Sequence, residues 1–284
     1  MKKKIIIGAI ALLIVIVAIA IPKTTYQKWF NRNQIQQNDN VLTEFQRIYV
    51  VNDQNQLVGV KVYVESIEED QITQKWNLLT ANMNKIPSGF SSPITPSTIL
   101  ESYSIENRKL VLNVSEDISR SAGKLAVDCL AWTFCNDEIE EVVIKNDDVV
   151  INTINDYRFN KISIKNGANF TYETAYLYEA SYTTIIYHEN DIIRPVTYFY
   201  KNNIDECDYV IKKTLATINL NDENYEFELE NNELVINLLN IDSLDQYTTK
   251  TIEDSVKLNL DIDGFTINGQ NNVIYDKTFA NPMD

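Results

Sequence analysis

The chain has 284 residues, of which 44% are hydrophobic, 23% charged and 10% aromatic, an ordinary globular composition that excludes a disordered, collagen-like or polytopic membrane protein. Seven Gly, six Pro and a single His, His188, speak against glycine-rich phosphate loops, exclude a His-rich metal site and leave a Ser-His-Asp or Cys-His mechanism only one base. Residues 1–47 carry seven basic against two acidic side chains and the remainder 18 against 38, so the folded part has a charge of about −20 that repels phosphate backbones, and nucleic acid is not expected as a partner.

Residues 5–21 are uncharged and apolar apart from Gly8, follow Lys2-Lys3-Lys4 and end at Pro22. At 1.5 Å per residue this run reaches roughly 25 Å, close to the hydrocarbon thickness of a bilayer. An uncleaved anchor is preferred to a cleaved signal, although Ala18-Ile19-Ala20 has the small-x-small form of a cleavage site. The short basic tail favours a cytoplasmic N-terminus, although Lys23, Lys28 and Arg32 dilute that bias. Residues 23–44 are rich in Gln and Asn and read as a polar spacer.

The globular pattern begins with apolar residues 48–51 and alternating Val58, Val60, Val62 and Val64, which predict two adjoining strands around a polar turn. Ile72, Trp76, Leu79 and Met83 form one stripe and predict a helix over 68–83. A Pro/Ser/Gly loop at 86–97 precedes a hairpin of strands 99–105 and 110–114 around residues 106–109. Ser115 reads as an N-cap, and Ile118, Ala122, Leu125, Cys129 and Trp132 step by 4, 3, 4, 3 along a second helix. Strands at 142–144 and 149–151 close a β-β-α-β-β-α-β-β unit.

That order recurs. Residues 105–114 (IENRKLVLNV) align without a gap to 229–238 (LENNELVINL), 124 positions on. Upstream, 57–63 answer 192–198, and downstream 143–146 answer 266–269. The offset falls from 135 to 124 because the second copy lacks most of the proline loop. The organisation is an anchor at 1–22, a spacer at 23–44, a first domain at 45–152, a connector at 153–180, a second domain at 181–276 and a tail at 277–284. Duplication predicts superposable units with separate sheets and with Trp76 and Trp132 buried. One sheet continuous through both halves, or helices on opposite faces in different orders, would make the repeat reading wrong.

Three stretches resemble the GerMN domain of the GerM-like sporulation and spore germination family, whose modules often occur in tandem behind an anchor. Residues 94–100 through 110–116 look like its "Pro, small residue, Thr, strand, acidic turn, strand, Ser-Glu" centre. Residues 125–134 with Glu141-Val142-Val143-Ile144 are similar to its second helix and following strand, and Arg194-Pro195-Val196-Thr197 is similar to the strand start of the second copy. The sequence departs from the pattern where Leu78-Leu79-Thr80-Ala81-Asn82 stands for the family's Leu-Leu-x-Gly-Pro and where the first copy lacks a strand-ending Gly. The resemblance implies an α/β fold of the α+β type. It consists of two repeated small domains, each a mixed sheet with two helices packed on one face, similar to ring-building motifs, behind an N-terminal transmembrane helix. It supplies no catalytic residue.

The chemistry-bearing residues point the same way. His188 lies in Tyr187-His188-Glu189-Asn190 and reads as a solvated turn residue. Asp261-Ile262-Asp263-Gly264 opens like a calcium loop, but Phe265 and Asn272 stand where oxygen ligands are needed. Gly264 and Gly269 have P-loop spacing, yet Gln270-Asn271 replace Lys-Ser/Thr. Cys129, Cys135 and Cys207 form no CxxC and read as small hydrophobes. The acidic pairs Glu68-Glu69, Asp147-Asp148 and Asp222-Glu223 read as caps and turns, and Tyr172, Tyr176, Tyr178 and Tyr182 as a strand packed on a sheet. No catalytic, cofactor-binding or metal-ligating residue is assigned. The expected role is a non-enzymatic, single-pass membrane protein with extracytoplasmic interaction domains. Its expected partners are envelope proteins with a basic face, or further copies joining through sheet edges. A cell-wall glycan-binding module and a cell-wall hydrolase are the alternatives.

Overall fold

The computed structural model describes residues 43–65, 70–80, 85–171, 180–216, 219–220 and 223–279. The anchor expected at 5–21 and nearly all of the spacer lie outside these residues. Among the described residues no helix is long and apolar enough to cross a membrane.

Strands β1 (Thr43–Asn52) and β2 (Leu57–Glu65) form the first hairpin. The Asn52 side chain closes its turn by accepting from the N–H groups of Gln54 and Gln56 at 3.0 and 2.9 Å. Helix α1 (Gln71–Thr80) begins where Asp70 Oδ1 accepts from the N–H groups of Ile72 and Thr73, both at 3.0 Å. Residues 68–69 and 81–83 of the expected helix lie outside the described residues. After the two-residue β3 (Phe90–Ser91), β4 (Leu100–Glu106) and β5 (Lys109–Val114) pair antiparallel around Asn107 and Arg108, whose φ values of 51° and 61° give a tight two-residue turn.

The second helix differs from its sequence reading. The stripe from Ile118 to Trp132 is split into a 3₁₀ turn (Glu116–Arg120) and α2 (Lys124–Phe134). Gly123, at φ 53°, turns the chain between them. Ser115 does not cap with its side chain; its hydroxyl accepts from the Ile99 N–H at 3.0 Å and ties β4 to β5 instead. Strand β6 (Glu141–Asn146) then runs parallel to β5, and β7 (Val149–Val150) closes a four-stranded sheet in the order β4-β5-β6-β7.

The connector is more than a spacer. It holds the small hairpin β8 (Thr153–Ile154) and β9 (Tyr157–Arg158), a 3₁₀ turn (Ile164–Asn166) and the fully buried Ala168. The second copy follows as β10 (Ala180–Glu189), β11 (Ile192–Lys201), α3 (Glu206–Ala216), β12 (Tyr225–Glu230), β13 (Glu233–Leu238), α4 (Gln246–Asn259), β14 (Gly264–Asn268) and β15 (Val273–Thr278).

Apart from β3 and the 3₁₀ turn at Glu116–Arg120, the element order is that of the first copy. Its β12-β13-β14-β15 sheet likewise has one parallel pair, β13 with β14. Asn231 and Asn232 repeat the turn of Asn107 and Arg108, at φ 51° and 63°. Leu110, Leu112 and Val114 are buried on β5 as Leu234, Ile236 and Leu238 are on β13.

The expectation of separate sheets is overturned. The two N-terminal hairpins join into one five-stranded sheet, β10-β11-β2-β1-β3, with β11 antiparallel to β2 at Ile193 and Gly59. Each copy is therefore divided between its own mixed sheet and half of a shared one. The core explains the join: the first apolar cluster, which includes Trp76 and Trp132, also takes in Ile186 and Ile193 of the second copy. A second cluster from Val210 to Ile267 fills the C-terminal sheet. What fails is the independence of the two units; their repeated order stands.

Candidate functional site

Edge strands are the natural docking elements of small sheets, because their unpaired N–H and C=O groups accept another strand. The two hairpins treat their outer edges alike. In the first copy, the Tyr49 N–H donates to Thr133 Oγ1 and the Cys129 thiol donates to Tyr49 O, both at 3.0 Å. In the second, α4 lies along β10. Thr251 Oγ1, Ser255 Oγ and Asn259 Oδ1 accept from the N–H groups of His188, Ile186 and Thr184 at 3.0, 2.9 and 3.1 Å. Asn259 Nδ2 also donates to Thr184 O at 2.8 Å. The geometry matches because four helical residues advance about 6 Å and two strand residues nearly 7 Å, so a side chain on every turn meets every second amide. Helix side chains thus occupy the β10 edge from Thr184 to His188 and the β1 edge at Tyr49, next to the β3 pairing at Val51 and Asn52.

The inner edges form the seam. Tyr49 lies over Gly59, where a Cβ would come within 2.9 Å of its ring, and the same ring packs 5.6 Å from Trp132. Burial pushes the Tyr49 phenol far above its ordinary range. Two residues on from Ile193, Pro195 faces the same neighbour without an N–H to donate, so the β2–β11 ladder cannot continue there. The connector's Asn169, at φ 48°, takes over. Its Oδ1 accepts from the Leu57 N–H and its Nδ2 donates to Leu57 O and Pro195 O, each at 2.7 Å. An ion pair between Lys61 and Asp191 at 2.6 Å lies across the same seam.

His188 is not a solvated turn residue. It sits in β10 with its side chain 9% exposed, and its Nε2 lies 2.8 Å from Asp254 Oδ2 on α4. Asp254 also pairs with Lys250 at 3.0 Å. Lys250 reaches Glu253 at 3.0 Å, and Glu253 accepts from the Tyr275 hydroxyl at 2.9 Å and from Lys277. Burial, the largest influence on Asp254, pushes its carboxyl up, but the bond from His188 and the charge of Lys250 together hold it below the usual carboxylate range. Glu253 is likewise held down by Lys277, Lys250 and Tyr275 against its own burial. Among the described residues no Ser or Cys side chain is hydrogen-bonded to the imidazole. The arrangement fastens α4 to β10.

The remaining candidates are also placed. Phe265 is fully buried against Tyr275 and Phe279, at 5.3 and 5.9 Å, so the fifth position of the calcium-like run is core. Gly264 serves strand packing, since a Cβ there would lie 2.9 Å from Lys277 O. Among the described residues no group of three His, Cys, Asp or Glu could hold a metal ion. The three thiols are free; burial pushes Cys135 and Cys207 up to about 11 and Cys129 further still. Asp147 and Asp148 form a turn at φ 46° and 64°. Glu68, Glu69, Asp222, Tyr172, Tyr176 and Tyr178 lie outside the described residues. Tyr182 is 44% exposed, packs on Phe170 and Phe199 at 6.3 and 6.1 Å, and donates to Lys165 O at 3.1 Å.

The C-terminal sheet of each copy ends in two edge strands, β4 and β7 in the first and β12 and β15 in the second. Glu101 to Glu106 are all exposed on β4, and Glu226, Glu228, Leu229 and Glu230 on β12.

The family model for Germane, described as sporulation and spore germination, matches residues 47–150. Residues 47–150 are thus similar to the Germane domain. The tandem GerMN domains of the sporulation protein GerM from Bacillus subtilis share the fold, with a TM-score of 0.65 at 13% identity over 84% of this chain and 97% of that one. The first GerMN domain of the same protein aligns at 14% identity over 43% of this chain and 99% of that chain, with a TM-score of 0.36. No curated protein is matched. The chain thus has the architecture of a GerM-like tandem GerMN pair, a mixed α+β fold whose first GerMN copy is the Germane match and whose second copy begins at β10. The closed hairpin edges and the seam are features of this pair.

Proposed function

We propose that the protein is a non-enzymatic assembly factor of the bacterial envelope, anchored through residues 5–21 with its GerMN pair outside the cytoplasm, and that it acts in sporulation or germination. The observation that carries this reading is the treatment of strand edges in a GerMN pair. Helix side chains bond the hairpin edges at Tyr49 and along β10, while among the described residues the C-terminal sheets keep edge strands such as β4 and β12 free of such bonds, as a scaffold requires if it is to dock partners in defined places. The Germane match over residues 47–150 supports the sporulation context. The test is crosslinking in the native envelope followed by identification of captured proteins. Recovery of envelope proteins from membranes but not from controls lacking residues 5–21 is expected. A soluble mature chain beginning near Ile21, or turnover of purified cell wall that is lost on mutating a carboxylate pair, would overturn it.

A second reading rests on the half-exposed Tyr182 beside Phe170 and Phe199, with the Lys124 ammonium 4.7 Å over the Phe170 ring. Aromatic rings bared on a surface suit glycan stacking. Co-sedimentation with purified peptidoglycan that is lost in Tyr182→Ala would favour it.

A further inference from the structure

The edge of β12 has a recognition pattern of its own. The two-residue turn at Asn231 and Asn232 makes Glu230 and Glu233 a hydrogen-bonded pair, so along β12 the backbone groups of Phe227 and Leu229 point away from β13. Among the described residues those groups have no hydrogen-bond partner. Side chains alternate as strictly. Phe227 and Leu229 continue the core face beside Ile236 and Leu234, and Leu229 is 45% exposed. Glu226, Glu228 and Glu230 project from the other face, all exposed, and among the described residues no basic side chain pairs with any of them.

We infer that β12 accepts, by strand addition, an extended segment of a partner protein in which basic and apolar residues alternate. Every second side chain of an added strand faces the three glutamates, where opposite charges stabilise and like charges destabilise. The intervening side chains cover Leu229 and Phe227. A second copy of this chain does not fit: β12 against β12 sets Glu against Glu, β4 brings Glu101 and Glu106, β15 offers one basic residue, Lys277, already paired with Glu253, and β7 is two valines without charge. The inference rests on the docking role proposed above and names the edge and the chemistry of its partner.

The test uses the full-length chain and two fluorescent nine-residue probe peptides, one alternating Lys and Val, the other Glu and Val. Anisotropy titration is expected to show binding of the Lys/Val peptide only, weakened when salt rises from 50 to 300 mM because exposed pairs are screened. The Glu226→Lys/Glu228→Lys/Glu230→Lys variant should lose at least about tenfold in affinity, summed over three cross-strand pairs. Glu101→Lys/Glu106→Lys on β4 should bind as the parent does, and both variants should keep the parent near-ultraviolet spectrum. Amide exchange at Phe227 and Leu229 should slow on binding, a readout that charge attraction without strand pairing would not move. Equal binding of both peptides, undiminished binding by the triple variant, or unchanged exchange at these amides overturns the inference. Envelope partners crosslinked only at sites away from β12 would overturn it while leaving the docking role intact. Failure to capture any protein would sink the docking role, whatever the peptide does.

Discussion

Replacing Asn169 tests the seam. Asn169→Ala removes three hydrogen bonds of 2.7 Å that replace the missing ladder between β2 and β11, and it leaves both backbone groups of the fully buried Leu57 without these partners. Each such bond contributes about 1 kcal/mol net, and a buried group left without a partner costs about 1–3 kcal/mol, so the loss should be about 2–4 kcal/mol. For a chain of this size that corresponds to a fall of about 5–15 °C in Tm. The backbone at φ 48° adds a second discriminator. Asn169→Gly loses the same bonds but relieves the left-handed strain that a Cβ brings, so the Gly variant should be more stable than the Ala variant by about 1 kcal/mol. Urea unfolding followed by tryptophan fluorescence and far-ultraviolet circular dichroism supplies the assay. Since Trp76 and Trp132 are buried in the first copy and Trp29 lies before it, the fluorescence change on unfolding reports on the first copy and not the second, and circular dichroism on both. The two transitions should coincide in the parent and separate in Asn169→Ala. Variants within about 0.5 kcal/mol of the parent, or Ala and Gly variants of equal stability, would refute the reasoning.

The closed edge of β10 predicts that Ser255→Ala, which strips the acceptor from the buried Ile186 N–H, costs about 1–3 kcal/mol by thermal denaturation, whereas Asp242→Ala at an exposed turn should cost far less. Because Asp254 and Glu253 are held below their ordinary values of 3.8 and 4.5 in the folded state, the stability they contribute is complete above those values and is lost as pH falls through the lower, folded ones. Tm should therefore drop steeply below about pH 4.5, and less steeply in Asp254→Asn. Phe265→Ala, in a fully buried position, should cost about 3–5 kcal/mol and unfold the C-terminal sheet first, as followed by amide exchange. The raised thiols of Cys135 and Cys207, at about 11, and the buried Cys129 predict slow labelling by a disulfide reagent at pH 7.5, accelerated many-fold in denaturant.

The repeated hairpin could be read from the sequence because its determinants are local. Leu110, Leu112 and Val114 alternate as Leu234, Ile236 and Leu238 do, and the turn residues Asn107 and Asn231 accept a positive φ. The break at Gly123 was hidden by a stripe whose spacing runs through it, although a Gly inside a helical pattern is itself a warning. The place of His188 is not legible locally, because its partner Asp254 is 66 residues away and arrives only when α4 docks. The polar ladder of Thr251, Ser255 and Asn259, set four residues apart, carried a signal that an apolar count ignores. The seam had two clues, a Gly among the valines of β2 and a Pro inside β11, and neither is interpretable until the two strands are known to be neighbours.

The seam also has a symmetry. β2 and β11 are the same strand of the two repeats, and they meet antiparallel, so each presents to the other the surface it receives. Such an isologous contact is satisfied by two members and leaves nothing of its kind for a third. A heterologous contact, by contrast, propagates into rings or filaments. The duplication therefore built a closed dimer within one polypeptide, with the linker Asn169 stitched into its axis. If GerMN pairs of this type are arranged in rings, the rotation between neighbours must be generated by other surfaces, and adding a third repeat to this chain would not lengthen the shared sheet.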